Sequence, residues 1–473
     1  MTQITATTKE AYKLIHKGAL AFGRAERQGF RIDVEYCEKK KEHLSRKIVH
    51  LQKKLEETKL IKTWKESIKG QINTDSNHQL AHVLYNVMKI TPPKTTKSGK
   101  GATDEDALTQ INLPGIQLIL QIRKLRKMRD TYLDAFLREQ TGGYIHPFFN
   151  LHTVRTYRSS SDRPNFQNIP KRDKEAMQIC RRALFPRPGH QLLAVDFSGI
   201  EVMIAACYHK DPTMLSYLED PHSDMHGDMA HQIFVLDEYD AEIEKAGGLK
   251  KIPEFKVLRN ATKNGFVFPQ FYGDYYGNNA VSLACEWGKL SKGKWKKGQG
   301  LPMPDGHLSD HLIKNGIKSF DQFTEHMKKI EEDFWDRRFA VYGQWRKDWV
   351  KEYQKKGFFD MHTGFRCKGV MSRNEVCNYP IQGAAFHCLL WSFIEVDRIM
   401  QEEQWDSRLI GQIHDEMLLD VHPDELEHVT RTIQKVTCQD LSKAWPWIIT
   451  PLEITNSLSP VDCSWGNMED IDL

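Results

Sequence analysis

The sequence predicts an α+β protein: a small sheet assembled from segments far apart in the chain, with helical regions on either side. Two observations predict it. Residues from about 7 to 140 carry mostly helical periodicity. The strand-like runs are scattered, at HQLLAVDFSGIEV, around 357–370, at RLIGQIHDEMLLDV and at TPLEIT, and a long helical block separates the first two. With 473 residues, 40% hydrophobic and 27% charged, the chain has material for several domains and the composition of a soluble protein.

Taken in order, the N-terminus MTQITATTKEAYKL lacks the basic start and apolar run of a secretory signal. No apolar run approaches the roughly 20 residues of a membrane span. The expected location is the cytoplasm, without secretion and without a membrane partner. The nine cysteines form no CxxC pair; Cys367, Cys377 and Cys388 lack zinc-ligand spacing and are read as reduced core thiols.

Two basic helical patterns follow, CEKKKEHLSRKIVHLQKKLEETKLIKTWKESIKG from Cys37 and RKLRKMRDTY from Arg123, each with an apolar face. A solvated helix face accounts for such runs, and so does a clamp on a phosphate backbone. Between them, TPPKTTKSGKGATD breaks the helix with Pro92, Pro93, Gly99 and Gly101. The net charge of +4 permits a nucleic-acid partner without demonstrating one.

LLAVDFSGIEVMIAA reads as a buried strand ending at Asp196, with a helix after Gly199. RLIGQIHDEMLLDV places His414, Asp415 and Glu416 between two apolar runs, with no glycine at the tip. A hairpin tip explains that stretch alone. Together, Asp196 and Asp415 at the ends of separate strands make a divalent-cation site suited to phosphoryl transfer. RNATKNGFVFPQFYG sets Arg259 and Lys263 four apart on one helix face, then Phe268 and Tyr272 four apart. Cations of that kind suit a triphosphate, and rings suit a base.

These segments, in this order, resemble the motifs of the family A DNA polymerases, the DNA polymerase I family. TYRSSSDRPNFQNIP, from Thr156, is similar to T-G-R-L-S-S-S-D-P-N-L-Q-N-I-P, and DFSGIE resembles motif A, D-Y-S-Q-I-E. DMH at 224–226 is similar to D-I-H, and residues 259–273 resemble motif B, R-x3-K-x3-F-x3-Y-G. NYPIQGAA resembles N-x-P-x-Q-G-T-A, and QIHDE resembles motif C, Q-V-H-D-E. The similarity begins near Lys9, takes in GFRIDVEY and runs to PLEI.

The resemblance implies a right-hand polymerase fold with a palm sheet, helical fingers and a helical thumb. Residues 1–33 would lead from palm to thumb, 34–145 would be the thumb, 146–206 and 396–473 the palm, and 207–395 the fingers, with an insertion near 286–315. The implied activity is DNA-templated DNA synthesis: a primer 3′-hydroxyl is extended with deoxynucleoside triphosphates on a primer–template by two-metal phosphoryl transfer. Asp196 and Asp415 would ligate two Mg2+ ions, for which Mn2+ substitutes, with Glu416 a nearby acid. Arg259, Lys263 and His226 would address the triphosphate, the first two with a catalytic role. Phe268 and Tyr272 would border the nascent pair, and Glu201 would close over the sugar's 2′ position. Arg158, Asn165, Gln167, Asn168, Gln382 and His414 would face primer or template, and Lys127 and Arg129 would grip the duplex.

The departures carry expectations of their own. Tyr157 stands at a motif glycine and Gly199 at a motif glutamine. In motif B one residue too many separates Lys263 from Phe268, and Pro269 follows. One extra residue turns an α-helix by about 100°, so a π-bulge or kink is expected between Lys263 and Pro269, with Phe268 rather than Val267 toward the nucleotide. No room precedes Lys9 for the family's 3′–5′ exonuclease domain, so the chain is expected to lack it; whether a separate exonuclease or processivity factor acts in trans is left open by the sequence. The compact form looks phage-like, which makes the cytoplasm that of a bacterial or phage-infected cell. EWGKLSKGKWKKGQG is expected either to bind single-stranded template through its lysines, Trp287 and Trp295, or to be a disordered surface insert. Two other readings compete: a single-subunit RNA polymerase of related fold, which Glu201 opposes, and a catalytically silent DNA-binding subunit, which the two aspartates and the Arg–Lys pair oppose.

Overall fold

QLLAVDF is apolar at both parities because it is covered on both faces. The structure is a computed structural model that describes residues 6–68, 70–96, 98–171 and 173–471. In it, β1 (Gln191–Phe197) is the middle strand of an antiparallel sheet of order β2-β3-β1-β4-β5. The other strands are β2 (Arg408–Ile413), β3 (Glu416–Val421), β4 (Ile454–Leu458) and β5 (Glu469–Ile471). Successive side chains of a strand point to opposite faces. Leu193, Val195 and Phe197 accordingly enter one hydrophobic core while Leu192 and Ala194 enter another. Met417, Leu419 and Val421 of β3 divide from Leu418 in the same way.

The helices that position the site are, in chain order, α1 (Thr8–Gln28), α2 (Val34–Glu56), α3 (Pro114–Arg126), α4 (Ile200–His209), α5 (Pro253–Thr262), α6 (Phe268–Phe271), α7 (Ala340–Lys356) and α8 (Arg373–Glu402). α1, α4 and α8 cover the first face, where Phe22 meets Phe393 edge-on at 5.0 Å. α2 and α3 pack on each other, and their core runs on to the second face and to Trp465. A third core, built from residues between 206 and 342, contains no strand of this sheet.

Packing runs across two of the expected boundaries. The thumb interval 34–145 shares its core with the sheet, so it does not close on itself. Within the interval 207–395, Tyr353, Phe359, Met361, Phe365 and Cys367 pack in the first core, and α8 crosses residue 395 unbroken. Pro380 lies inside α8 and cannot donate to the Val376 carbonyl. The indole Nε1 of Trp349 in α7 donates to that carbonyl instead, at 3.0 Å, so the helix continues. The strand-like run at 357–370 is a hairpin, Phe358–Asp360 with Arg366–Lys368. The strand expected at TPLEIT begins only at Ile454.

The insertion is a folded element. Pro302–Met303 and Gly306–His307 pair as a short hairpin. Trp295 is 6% exposed with Nε1 donating to the Ser291 carbonyl at 2.8 Å, and Trp287 packs on the third core. The disordered reading therefore fails, and the buried Trp295 ring is not available to stack on a template. Among the described residues no helix is long and apolar enough to cross a membrane, and all nine cysteines are unpaired.

Candidate active site

The acidic half is fixed by strand register. β2 and β3 are joined through His414 and Asp415, flanked by the pair Ile413↔Glu416. His414 takes φ 52°, a left-handed conformation that histidine tolerates better than a β-branched residue. On its other side β3 pairs Glu416 with Asp196, so these carboxylates stand directly opposite one another. The Phe197 N–H donates to the Asp415 carbonyl at 3.2 Å, drawing the third acid to the same strand end. Like charges opposed across strands are destabilising. Lys171 offsets them: its Nζ lies 3.3 Å from Asp196 Oδ2 and 3.3 Å from Glu416 Oε2. Burial disfavours that ammonium's charge, but Glu416 and Asp196 outweigh burial and hold it above the usual lysine range.

Burial pushes the Asp415 carboxyl up to about 6, and the negative Glu201 and Asp196 add to the shift against the pull of Arg158. Glu416 is 5% exposed and is also raised by burial; its Oε1 has no hydrogen-bond partner among the described residues. The two departures near this half have backbone explanations. Gly199 turns the chain from β1 into α4 with φ 61°. Tyr157 takes φ 58°, which costs a side-chain residue about 1–2 kcal/mol. It is held there by its hydroxyl donating to the Arg366 carbonyl at 2.8 Å and by Phe365 at 4.8 Å.

The cationic half hangs on α5, a π-helical turn over Lys263–Val267, and α6. Five other π turns occur among the described residues, so the turn alone is no signature. Register is the informative feature. Val267 is fully buried in the third core, while Phe268 lies 5.3 Å from Lys263 Nζ and 5.6 Å, edge-on, from the His226 ring. Arg259 is clamped by Asp224, with Nε 2.7 and 3.0 Å from the two carboxylate oxygens. Burial lowers His226 to about 4, and Arg259 and Lys263 add to the shift, so its ring is neutral at pH 7. Beyond α6, the freed carbonyls of Tyr272 and Gly273 accept from Asn378 and Asn374 of α8 at 3.2 and 3.3 Å.

Between the halves lies a cleft of about 520 Å3 whose lining includes Glu201, Phe268, Tyr272, Gln382 and Asp415. Glu201 accepts hydrogen bonds from the Tyr272 hydroxyl and from Arg158, whose Nε also donates to the Gln382 carbonyl at 3.0 Å. Arg158 is thus turned inward. The same holds for Gln167, which donates to Ser159 Oγ at 2.8 Å and to the fully buried Gln412 at 3.0 Å. Both side chains hold neighbouring protein groups in this structure. Asn165 caps the short helix Phe166–Asn168, and the Asn168 carbonyl accepts from Tyr132 at 2.6 Å; neither lines the cleft. Arg129 is paired with Asp130 at 2.6 Å, whereas Lys127 and His414 are exposed.

The sequence reading missed Lys171, Asp224 and the pair Ser159–Gln412. Gln412 had a signal, a polar residue inside the buried run RLIGQI; Lys171 had only its place after QNIP. A second cavity, about 560 Å3, lies at the far end of α4 beside Trp345 and Trp349 and takes in none of the three acids.

An antiparallel sheet bearing acids at its strand ends, faced across a cleft by a helical block bearing cations and rings, defines a right-hand polymerase fold. The POL domain of Pol1 from M. smegmatis, solved in complex with DNA primer-template and dNTP, has this fold: TM-score 0.72, 24% identity, 95% of this chain and 70% of that one. The chain belongs to DNA polymerase family A, whose model matches residues 35–266 and 272–454. The interruption at 267–271 adjoins the π turn. DNA polymerase I of Chloroflexus aurantiacus is 26% identical over 454 residues, 94% of this chain and 42% of the relative. DNA polymerase I of Aquifex aeolicus is 29% identical over 415 residues, 87% of this chain and 60% of the relative. The chain thus spans about half the length of these curated relatives. Family A DNA polymerases use divalent metal ions.

Proposed function

We propose that the chain is a DNA-templated DNA polymerase that extends a primer 3′-hydroxyl with deoxynucleoside triphosphates. One observation carries this: Asp415 and Glu201 face Phe268 and Tyr272 across a single cleft, with Asp196, Lys263 and Arg259 adjoining. The acids fit a divalent cation, since Glu416 Oε1 is an orphaned buried acceptor and an ammonium is already drawn between Asp196 and Glu416. Asp196 and Asp415 would hold two Mg2+ ions, or Mn2+, whose charge would activate the 3′-hydroxyl and neutralise pyrophosphate.

The chain's own residues do the remaining work. Arg259 and Lys263 offset charge on the leaving pyrophosphate, and Asp224 aims the guanidinium. Phe268 and Tyr272 border the base and sugar. Glu201, held by Arg158 and Tyr272, fills the space a 2′-hydroxyl would need. Base choice is left to pairing geometry, tested as the site assembles. The sheet with α1, α4 and α8 serves as palm, residues 206–342 as fingers, and residues 34–145 as thumb.

The test is extension of a primed template with Mg2+ and either deoxy- or ribonucleotides, using wild type, Asp196→Ala and Asp415→Ala. Template-directed extension with deoxynucleotides, lost in both variants, is the expected result. Preference for ribonucleotides would favour the RNA polymerase reading; tight binding without extension would favour a silent subunit.

A further inference from the structure

We propose that the strip 288–297 is a platform for the single-stranded template ahead of the primer terminus, a reading that rests on the polymerase function above. The strip, GKLSKGKWKK, contains five lysines and no acid. Lys289, Lys292, Lys294, Lys296 and Lys297 are all exposed, and none forms an ion pair with a described residue. The lysines of α2 are partly neutralised: Lys39 pairs with Glu35, Lys41 with Asp134 and Lys47 with Glu175, while Lys40, Lys53 and Lys54 have no ion-pair partner among the described residues. A lysine-rich run usually belongs to a solvated, internally neutralised face. This one is not neutralised.

The strip is also built. Trp295 is buried beneath it, its backbone N–H donating to the Lys318 carbonyl at 3.0 Å, and the Gly293 carbonyl accepts from the Phe320 backbone N–H at 2.9 Å. The neighbouring acid Asp310 is committed to backbone, accepting from Gly298 and His307 at 3.0 Å each. The ammonium groups therefore project from a fixed backbone, which lowers the ordering cost of binding.

Its position points to one ligand. A continuous helix runs from Tyr276 through the π turn ending at Trp287, straight into the strip. At its start stand Tyr275 and Tyr272, 53% and 40% exposed, the second in the cleft lining. The helix spans about 15–18 Å. Exposed rings followed by unpaired cations are what a single strand needs, because its bases are free to stack and its phosphates need compact charges. A duplex buries the base faces that Tyr272 and Tyr275 would meet. At about 3.4 Å per nucleotide, the lysines engage template from about the fifth unpaired nucleotide onward.

The experiment compares wild type with a variant carrying Lys289→Gln, Lys292→Gln, Lys294→Gln, Lys296→Gln and Lys297→Gln. Binding is measured by anisotropy on primer–templates with template overhangs of two and twelve nucleotides, across a salt series. The variant should lose at least about tenfold on the long overhang and stay within about twofold on the short one. Its salt slope on the long overhang should be shallower by up to about 3.5, at about 0.7 per released phosphate contact. Equal losses on both substrates, or none on either, would overturn the proposal. So would a loss seen only when the template ahead is annealed to a complementary strand. Extension of the short-overhang substrate is scored alongside: its absence in wild type defeats the polymerase reading, whereas its presence with unchanged long-overhang binding defeats only the platform.

Discussion

The acids of this protein sit on a sheet and its cations on a helix of a different core, and the two halves are held in place by different means. Asp196 and Glu416 are opposed because β1 and β3 are in register from Gln191 to Phe197's neighbour, and slipping that register by one residue would turn every inward side chain outward. The register is locked by Leu193, Val195, Met417 and Leu419 in one core and Leu192, Ala194 and Leu418 in the other. The cationic half has no such lock. Arg259 depends on Asp224, Phe268 depends on a π turn to reach the cleft, and the end of α6 depends on Asn374 and Asn378. A sheet fixes the position of its acids by pairing, whereas a helix must borrow support from neighbouring segments.

That contrast is broken most sharply by Asp196→Ala and Asp415→Ala. Each should lower single-turnover extension by about 10³-fold or more, with primer–template affinity within about threefold of wild type, the result expected of metal ligands rather than DNA contacts. Activity within tenfold of wild type in either variant would sink the metal-ligand assignment. On the cationic side Arg259→Ala should cost about 10²-fold, in the range of a lost charge-stabilising donor. Asp224→Asn leaves Arg259 in place but unaimed, so it should cost less and raise KM for the nucleotide together with lowering kcat. A kcat and KM untouched by Asp224→Asn would show that the cation needs no borrowed support.

Glu201 joins the two halves through Arg158 and Tyr272. Glu201→Ala should reduce the preference for deoxy- over ribonucleotides by about tenfold or more, measured as the ratio of kcat/KM values. An unchanged ratio would remove Glu201 from sugar selection.

The parts of this comparison visible in the sequence are those that chemistry ties to local spacing. Asp196 ends an apolar strand, Asp415 interrupts two, and Arg259 and Lys263 share a helix face, so each is legible within about ten residues. The extra residue before Phe268 was legible for the same reason. Lys171 was not, because its contact with Glu416 spans 245 residues of chain and no local pattern encodes it. Ser159 and Gln412 meet across 253 residues. No boundary at 395 is legible, because α8 serves two neighbours along one unbroken helix and nothing in its composition marks where one ends. Trp295 was misjudged because an aromatic in a basic run looks the same whether it stacks on a ligand or anchors the run from below.

A smaller effect separates burial from function in the acidic half. Asp415 has a folded value of about 6 against an ordinary 3.8. A carboxyl raised on folding contributes stability below its ordinary value, and that contribution is lost as pH rises through the folded value. In metal-free protein, then, the ionised Asp415 is a liability at pH 8 and not at pH 4. Asp415→Asn should raise the melting temperature in chelator at pH 8 and leave it unchanged or lower at pH 4. The same shift at both pH values would mean that Asp415 is not the group being titrated.

The smallest expected change concerns Lys171. Its ammonium lies between Asp196 and Glu416, where a metal cation would also be drawn, so the two cations compete for one patch of negative charge. The side chain is 60% exposed, and an ion pair so open to solvent is worth about 1 kcal/mol at most. Removing it should therefore tighten metal binding by no more than about fivefold, since 1.4 kcal/mol corresponds to about tenfold. Lys171→Met keeps the length of the stem and deletes only the charge. Mn2+ binding followed by electron paramagnetic resonance, without DNA or nucleotide, should show that modest gain. The metal-free melting temperature should fall by roughly 1–2 °C as Glu416 loses its counter-ion. Weaker Mn2+ binding in Lys171→Met would place the lysine among the groups that build the site rather than those the metal displaces, and the acidic half would then borrow support as the cationic half does.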